Sequence, residues 1–82
     1  MKLNERHLVQ LAAVIEAGGV GEGAALLGLT QPAVSRSLSM LEARVGEALF
    51  VKGRRPLQPT ELGRELDVQG RAILAASRKP SQ

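Results

Sequence analysis

Apolar residues recur at Leu8, Leu11, Ala12 and Ile15 with helical spacing, and Gly18-Gly19 stops the run. The pattern predicts an amphipathic first helix from Asn4 or Glu5 to Ala17. Ala24, Ala25 and Leu27 suggest a short second helix over 21–27. Gly21 and Gly23 weaken it by up to about 1 kcal/mol each relative to alanine, so it depends on tertiary support. Gly28 suits a left-handed helix end, Leu29 can pack back, and Thr30 offers a side-chain oxygen to cap the next helix. The third helix is predicted from Gln31 to about Val45, with Pro32 in its first turn, where a missing N–H is harmless. Val34, Leu38, Leu41 and Val45 step by 4, 3 and 4 residues, which places them on one buried stripe.

Arg36 lies nearly opposite that stripe, flanked by Pro32 and Ser39, with Gln31 and Ser35 on the shoulder. Small polar residues around a cation let the backbone approach another surface closely. Beyond Gly46, the β-prone run Leu49-Phe50-Val51, the basic Lys52-Gly53-Arg54-Arg55-Pro56 and the extended Leu57-Gln58-Pro59 predict a two-stranded β ribbon with a cationic tip. Thr60 can cap a last helix from Glu61 to about Arg78. Along it, Leu62, Leu66, Gln69, Ile73 and Ala76 form a heptad-like seam with one polar position. The expected organisation is a helical domain with its ribbon over 1–59, a linker helix over 60–78 and a frayed tail over 79–82. Neither an internal repeat nor a low-complexity segment is present.

Composition narrows the chemistry. Eighty-two residues provide one core. With 44% hydrophobic and 23% charged residues, the chain is expected to be globular and soluble. No apolar run approaches the roughly 20 residues that span a bilayer. Lys2 and Arg6 before Leu8–Ile15 imitate a secretory signal, but Glu5, Gln10 and Glu16 interrupt it, so a cytoplasmic location is expected. The lack of cysteine and the single His7 argue against a disulfide framework, a zinc site or any other resident cofactor. His7 and Asp67 have no sequence context that would make them catalytic, and Gly18–Gly23 lacks the Lys-Ser/Thr of a phosphate-binding loop. No enzyme is expected. Phe50 is the one aromatic residue, which disfavours base-stacking recognition of single strands.

The net charge of +3 is unevenly distributed. Residues 1–30 carry −1 (two cations, three acids), residues 31–60 carry +3 (five cations, two acids) and the remainder +1. The basic excess therefore surrounds the third helix and the ribbon, where a polyanion would find it. Helix, short helix, glycine turn, helix, basic ribbon and long helix is the order of a mainly α, winged helix-turn-helix fold: a three-helix core, a two-stranded wing and a C-terminal helix. In that arrangement the second helix of the pair enters the major groove. Arginine can grip guanine O6 and N7, glutamine can pair with adenine, and serine can serve bases or phosphates. Cations on the wing suit phosphates or the minor groove.

The ordered combination of Thr30-Gln31-Pro32-Ala33-Val34-Ser35-Arg36, Leu41-Glu42, Gly46, Leu49-Phe50, Arg54-Arg55, Thr60 and Gly63 resembles the N-terminal domain of LysR-type transcriptional regulators over about residues 3–76. The resemblance implies duplex-DNA contacts from Gln31, Pro32, Ser35 and Arg36 of the recognition helix and from Arg54 and Arg55 of the wing. With Thr30, Ser39 and Lys52 added, these are the candidate DNA-binding residues. It also implies a homodimer through the last helix, and an effector-binding domain in full-length members. Ending at residue 82, the chain is expected to be an excised domain rather than a natural fragment, without its own effector pocket. It departs from the family where Gly19-Val20-Gly21 replaces a usual Ser-aromatic-Thr and Gly23 replaces a usual alanine, so no contact is carried over there.

Three other readings compete. A winged-helix module for protein interaction would give Arg36 no reason to stand among small residues. Double-stranded RNA is disfavoured because its deep, narrow groove does not admit a helix. Leu62, Leu66 and Ile73 could seal this chain's own core, yet a helix of about 18 residues projecting from so small a body is marginal alone, which favours burial against a partner.

Overall fold

The computed structural model describes residues 2–77. They form four helices: α1 Glu5–Ala17, α2 Val20–Leu27, α3 Gln31–Val45 and α4 Glu61–Ser77. The expected tail over 79–82, and the end of the last helix at Arg78, lie outside the described residues. Three helices begin on side-chain caps, two of them, Thr30 and Thr60, expected from the sequence. Asn4 Oδ1 accepts from the Arg6 amide at 2.8 Å, Thr30 Oγ1 from the Ala33 amide at 3.3 Å, and Thr60 Oγ1 from the Gly63 amide at 3.1 Å. α2 begins on Gly19, which has no side chain to offer. Its other end closes on Gly28 at φ 70°, where the Leu29 amide donates to Ala24 O at 2.9 Å and the Gly28 amide to Ala25 O at 3.2 Å. That paired closure makes the tight turn into α3.

The stripe of α3 is buried as expected: Val34, Leu38 and Leu41 enter the core, and Val45 packs against it half-buried. They meet Leu8, Leu11 and Val14 of α1, together with Ala24, Leu49 and Leu66. α1 is more enclosed than its own stripe suggests. Every residue from Gln10 to Val14 is buried, because the other three helices all pack around α1.

Two glycines permit that enclosure. A Cβ on Gly23 would come within 2.6 Å of the Val14 Cα, so an alanine here would push α2 off α1. A Cβ on Gly70 would strike the Leu8 carbonyl oxygen, so α4 lies against α1 backbone to backbone. Part of the α4 seam expected to meet a second chain is engaged within this one. Leu66 belongs to this chain's own core, and Leu62 and Ile73 pack against it. Gln69 and Ala76 are exposed. α4 does not project, because Gly70 lets it settle on α1. Its outward residues are instead Val68, 66% exposed, with Ala72 and Ala75.

The two-stranded β wing is also corrected. Among the described residues no strand forms, and the ribbon is a single antiparallel bridge between Phe50 and Pro59. Two rungs flank it: the Val51 amide donates to Gln58 O at 2.8 Å, and the Thr60 amide to Leu49 O at 2.9 Å. The ladder stops there because its other donors are missing or engaged. Pro56, at the next bonding position, has no N–H. The Leu49 amide donates to Glu42 Oε2 at 2.9 Å instead of across the ribbon. On the outer side, the Leu57 amide donates to Gly18 O at 3.0 Å.

Candidate nucleic-acid interface

With Val34, Leu38 and Leu41 held inside, α3 turns Pro32, Ser35, Arg36 and Ser39 outward, and all four are exposed. Their spacings of three and four residues put them on one helix face. Gln31 and Thr30 stand exposed at its start, Thr30 as the cap itself. The Thr30 hydroxyl oxygen already accepts from Ala33, which ties that residue to holding the helix end as well as to any contact outside it.

Between this helix and the basic loop lies an open cleft. The glycine-rich start of α2 forms one wall and Gly53–Leu57 the other, with Gln31 between them. The cleft encloses about 1230 Å³, above the ~300–1,000 Å³ usual for small-ligand pockets. It has no aromatic lining. Its open shape and the arginines on its loop wall suit an extended anionic backbone. Arg54 and Arg55 line this cleft with Gln31, whereas Lys52 is exposed outside it and Ser35, Arg36 and Ser39 continue along α3. The predicted residues are thus divided between a helix face and a neighbouring cleft, joined at Gln31. Gly53, at φ 75°, makes the turn between the cations.

The loop that carries these cations is fastened by groups whose roles the sequence does not disclose. The Glu42 carboxylate accepts from Leu49, seven residues on, and the Thr60 hydroxyl donates to Ala48 O at 2.9 Å. Gly18 O holds the returning strand at Leu57. These are long-range bonds, invisible to local pattern, although the Leu41-Glu42 pair and Thr60 were present as signals in the family motif. Glu22, on the cleft wall, was not among the predicted site residues. Elsewhere, Arg71 Nε on α4 donates to Asp67 Oδ2 at 2.8 Å. That bond and the carboxylate's charge raise the guanidinium above its ordinary pKa. The pair lies outside the cleft.

A turn-linked helix pair, with its second helix pinned by one face and offering a cationic face to solvent, defines a protein of the helix-turn-helix class. More narrowly, the chain belongs to the LysR family of bacterial regulatory helix-turn-helix proteins, whose family model matches residues 5–64. Among curated relatives, it is 49% identical over 59 residues to the HTH-type transcriptional regulator ArgP of Pseudomonas fluorescens, covering 72% of this chain and 20% of that protein. It is 38% identical over 74 residues to the small neutral protease regulatory protein of Streptomyces coelicolor, covering 90% and 23%. The chain therefore spans about a fifth of the length of the curated relatives it matches.

Among solved structures, the BenM DNA-binding domain in complex with catB site 1 DNA is similar at TM-score 0.81 and 29% identity, over 92% of this chain and 81% of that one. The full-length LysR-type regulator LysG of Corynebacterium glutamicum is similar at TM-score 0.83 and 26% identity, over 93% and 26%. Among the described residues no single helix is long and apolar enough to cross a membrane.

Proposed function

We propose that this chain is the sequence-specific, duplex-DNA-binding domain of a cytoplasmic transcription regulator and works as a dimer. The observation that carries the reading is the division of α3: Val34, Leu38 and Leu41 are locked into the core while Arg36 and its small polar neighbours face solvent. Arg36, Ser35 and Gln31 read base edges in the major groove, and Arg54 and Arg55 meet phosphates from the cleft. Solved DNA complexes of the BenM and CbnR DNA-binding domains, both similar to this chain, support the reading. Binding needs no cofactor and involves no catalysis. A small-molecule effector would act only through a longer parent protein. A protein-interaction module without nucleic acid is the rival, and it predicts no binding to any duplex at low salt.

Selection of bound duplexes from a random pool, followed by fluorescence anisotropy on the enriched site and a scrambled one, tests the proposal. Tighter binding to the enriched site supports it, and equal affinity for both refutes sequence specificity. Arg54→Ala weakens both duplexes by a similar factor and lowers the slope of log affinity against log salt by about one phosphate's worth, ~0.9. An unchanged slope would remove Arg54 from the phosphate contacts.

The dimer is proposed through the outward face of α4, where Val68, Ala72 and Ala75 stand beside Gln69 and Ala76. Val68→Asp halves the mass seen by light scattering while leaving the thermal midpoint of the monomer fold in place. A parent that is already monomeric at tens of micromolar would contradict this surface.

A further inference from the structure

Glu22 is the one acidic residue lining a cleft whose opposite wall carries Arg54 and Arg55. It occupies the third position of α2, counted from the Gly19 cap. An acid at that position can fold back over the start of its own helix, as in a capping box. Here the side chain folds back toward Gly19 without a hydrogen bond to its amide: a Cβ placed on Gly19 would collide with Glu22 Oε1 and come within 3.0 Å of its carboxyl carbon. The carboxylate therefore lies against the bare Gly19 backbone at the amide end of α2. The side chain is exposed, and among the described residues the one ion pair is Asp67–Arg71, so Glu22 does not neutralise either loop arginine.

The amides at the start of a helix and the positive end of its dipole attract anions. In a cleft shaped for a nucleic-acid backbone, the competing anion is a phosphate. The Glu22 carboxylate stands beside that place, against Gly19, and adds a negative charge beside the path of the strand. Resting on the DNA-binding reading above, we propose that Glu22 is an affinity-limiting residue of the interface, which repels the phosphate backbone from the α2 wall and weakens binding to every duplex alike. Gln31 lies at the same wall, its Oε1 only 3.3 Å from where a Gly21 Cβ would be. With phosphate attraction curbed at α2, binding depends more on α3 and the loop arginines.

The test is anisotropy with the parent, Glu22→Gln and Glu5→Gln, each titrated with an enriched duplex and a scrambled one at low and at physiological salt. Glutamine keeps the size of the side chain and removes its charge. Glu5 is also exposed and does not line the cleft, so Glu5→Gln makes the same change in net charge at a remote place. Glu22→Gln is expected to tighten both duplexes by the same factor, about threefold or more at low salt, as for one unit charge a few ångströms away in water. The gain should shrink as salt screens it, and Glu5→Gln should leave affinity near the parent's. Matched thermal midpoints by circular dichroism establish that each variant is folded.

An unmoved or weaker affinity for folded Glu22→Gln overturns the inference, as does an equal gain from Glu5→Gln, which would trace the effect to overall charge. A gain confined to the enriched duplex also overturns it, since Glu22 would then be reading sequence. A parent that ignores both duplexes would overturn the DNA-binding reading, and the inference with it; a parent that binds while Glu22→Gln changes nothing would overturn the inference alone.

Discussion

Truncating Leu66 to alanine lowers the unfolding free energy of this domain by about 2 to 5 kcal/mol, the range for emptying a leucine-sized space in a packed core. Leu66 is 5% exposed and shares the core cluster with Leu8 and Leu11 of α1. Gly70, lacking a Cβ, lets α4 approach the Leu8 carbonyl closely enough for Leu66 to reach that core. The loss is large for so short a chain, since roughly 0.05–0.15 kcal/mol per residue gives a total of only about 4–12 kcal/mol for 82 residues. Urea denaturation followed by circular dichroism measures it. If Leu66 served a partner chain instead, its truncation would change the mass in solution and leave the monomer's unfolding free energy nearly intact.

Arg36→Ala leaves the fold unchanged and weakens binding to the enriched duplex by about 1 to 3 kcal/mol, roughly 5- to 150-fold in Kd. The guanidinium is exposed on the face opposite Val34, Leu38 and Leu41, so removing it empties no space in the core. The penalty should fall chiefly on one base pair of the enriched site, because a bidentate fork distinguishes guanine from the other bases. Anisotropy over a panel of single-base variants measures this: the parent discriminates at that pair and Arg36→Ala does not. An equal loss for every sequence, scrambled duplex included, would reassign Arg36 from base reading to phosphate contact.

The parts of the fold that local pattern governs are legible in the sequence. Thr30, Gly28 and Gly46 mark helix ends by side-chain chemistry and backbone freedom, and spacing gives the buried stripe of α3. Two features escape it because they depend on what other segments do. The ribbon looks like paired strands from its β-prone residues, but one donor is missing at Pro56 and another is drawn away by Glu42. The α4 seam has a coiled-coil spacing that fits an internal core equally well. Gly70 is what settles α4 on α1, and its significance appears only when Leu8 is placed beside it. Gly23 is similar: in sequence it weakens a helix, and in the structure it is the point where α2 touches α1. At the interface, the exposed face of α3 can be read from the helical wheel, whereas the meeting of Gln31, Arg54, Arg55 and Glu22 in one cleft requires the loop to fold back.

That fold-back is held by the bond from the Leu57 amide to Gly18 O, which joins the return limb of the loop to the shoulder between α1 and α2. Glu42 and Thr60 tie down the opposite end. Both rims of the cleft are thereby mounted on a common frame, cast in advance like a mould. On the proposed reading, a duplex docking there would leave little main-chain freedom to be lost, so a domain this small would keep more of its contact energy as net affinity.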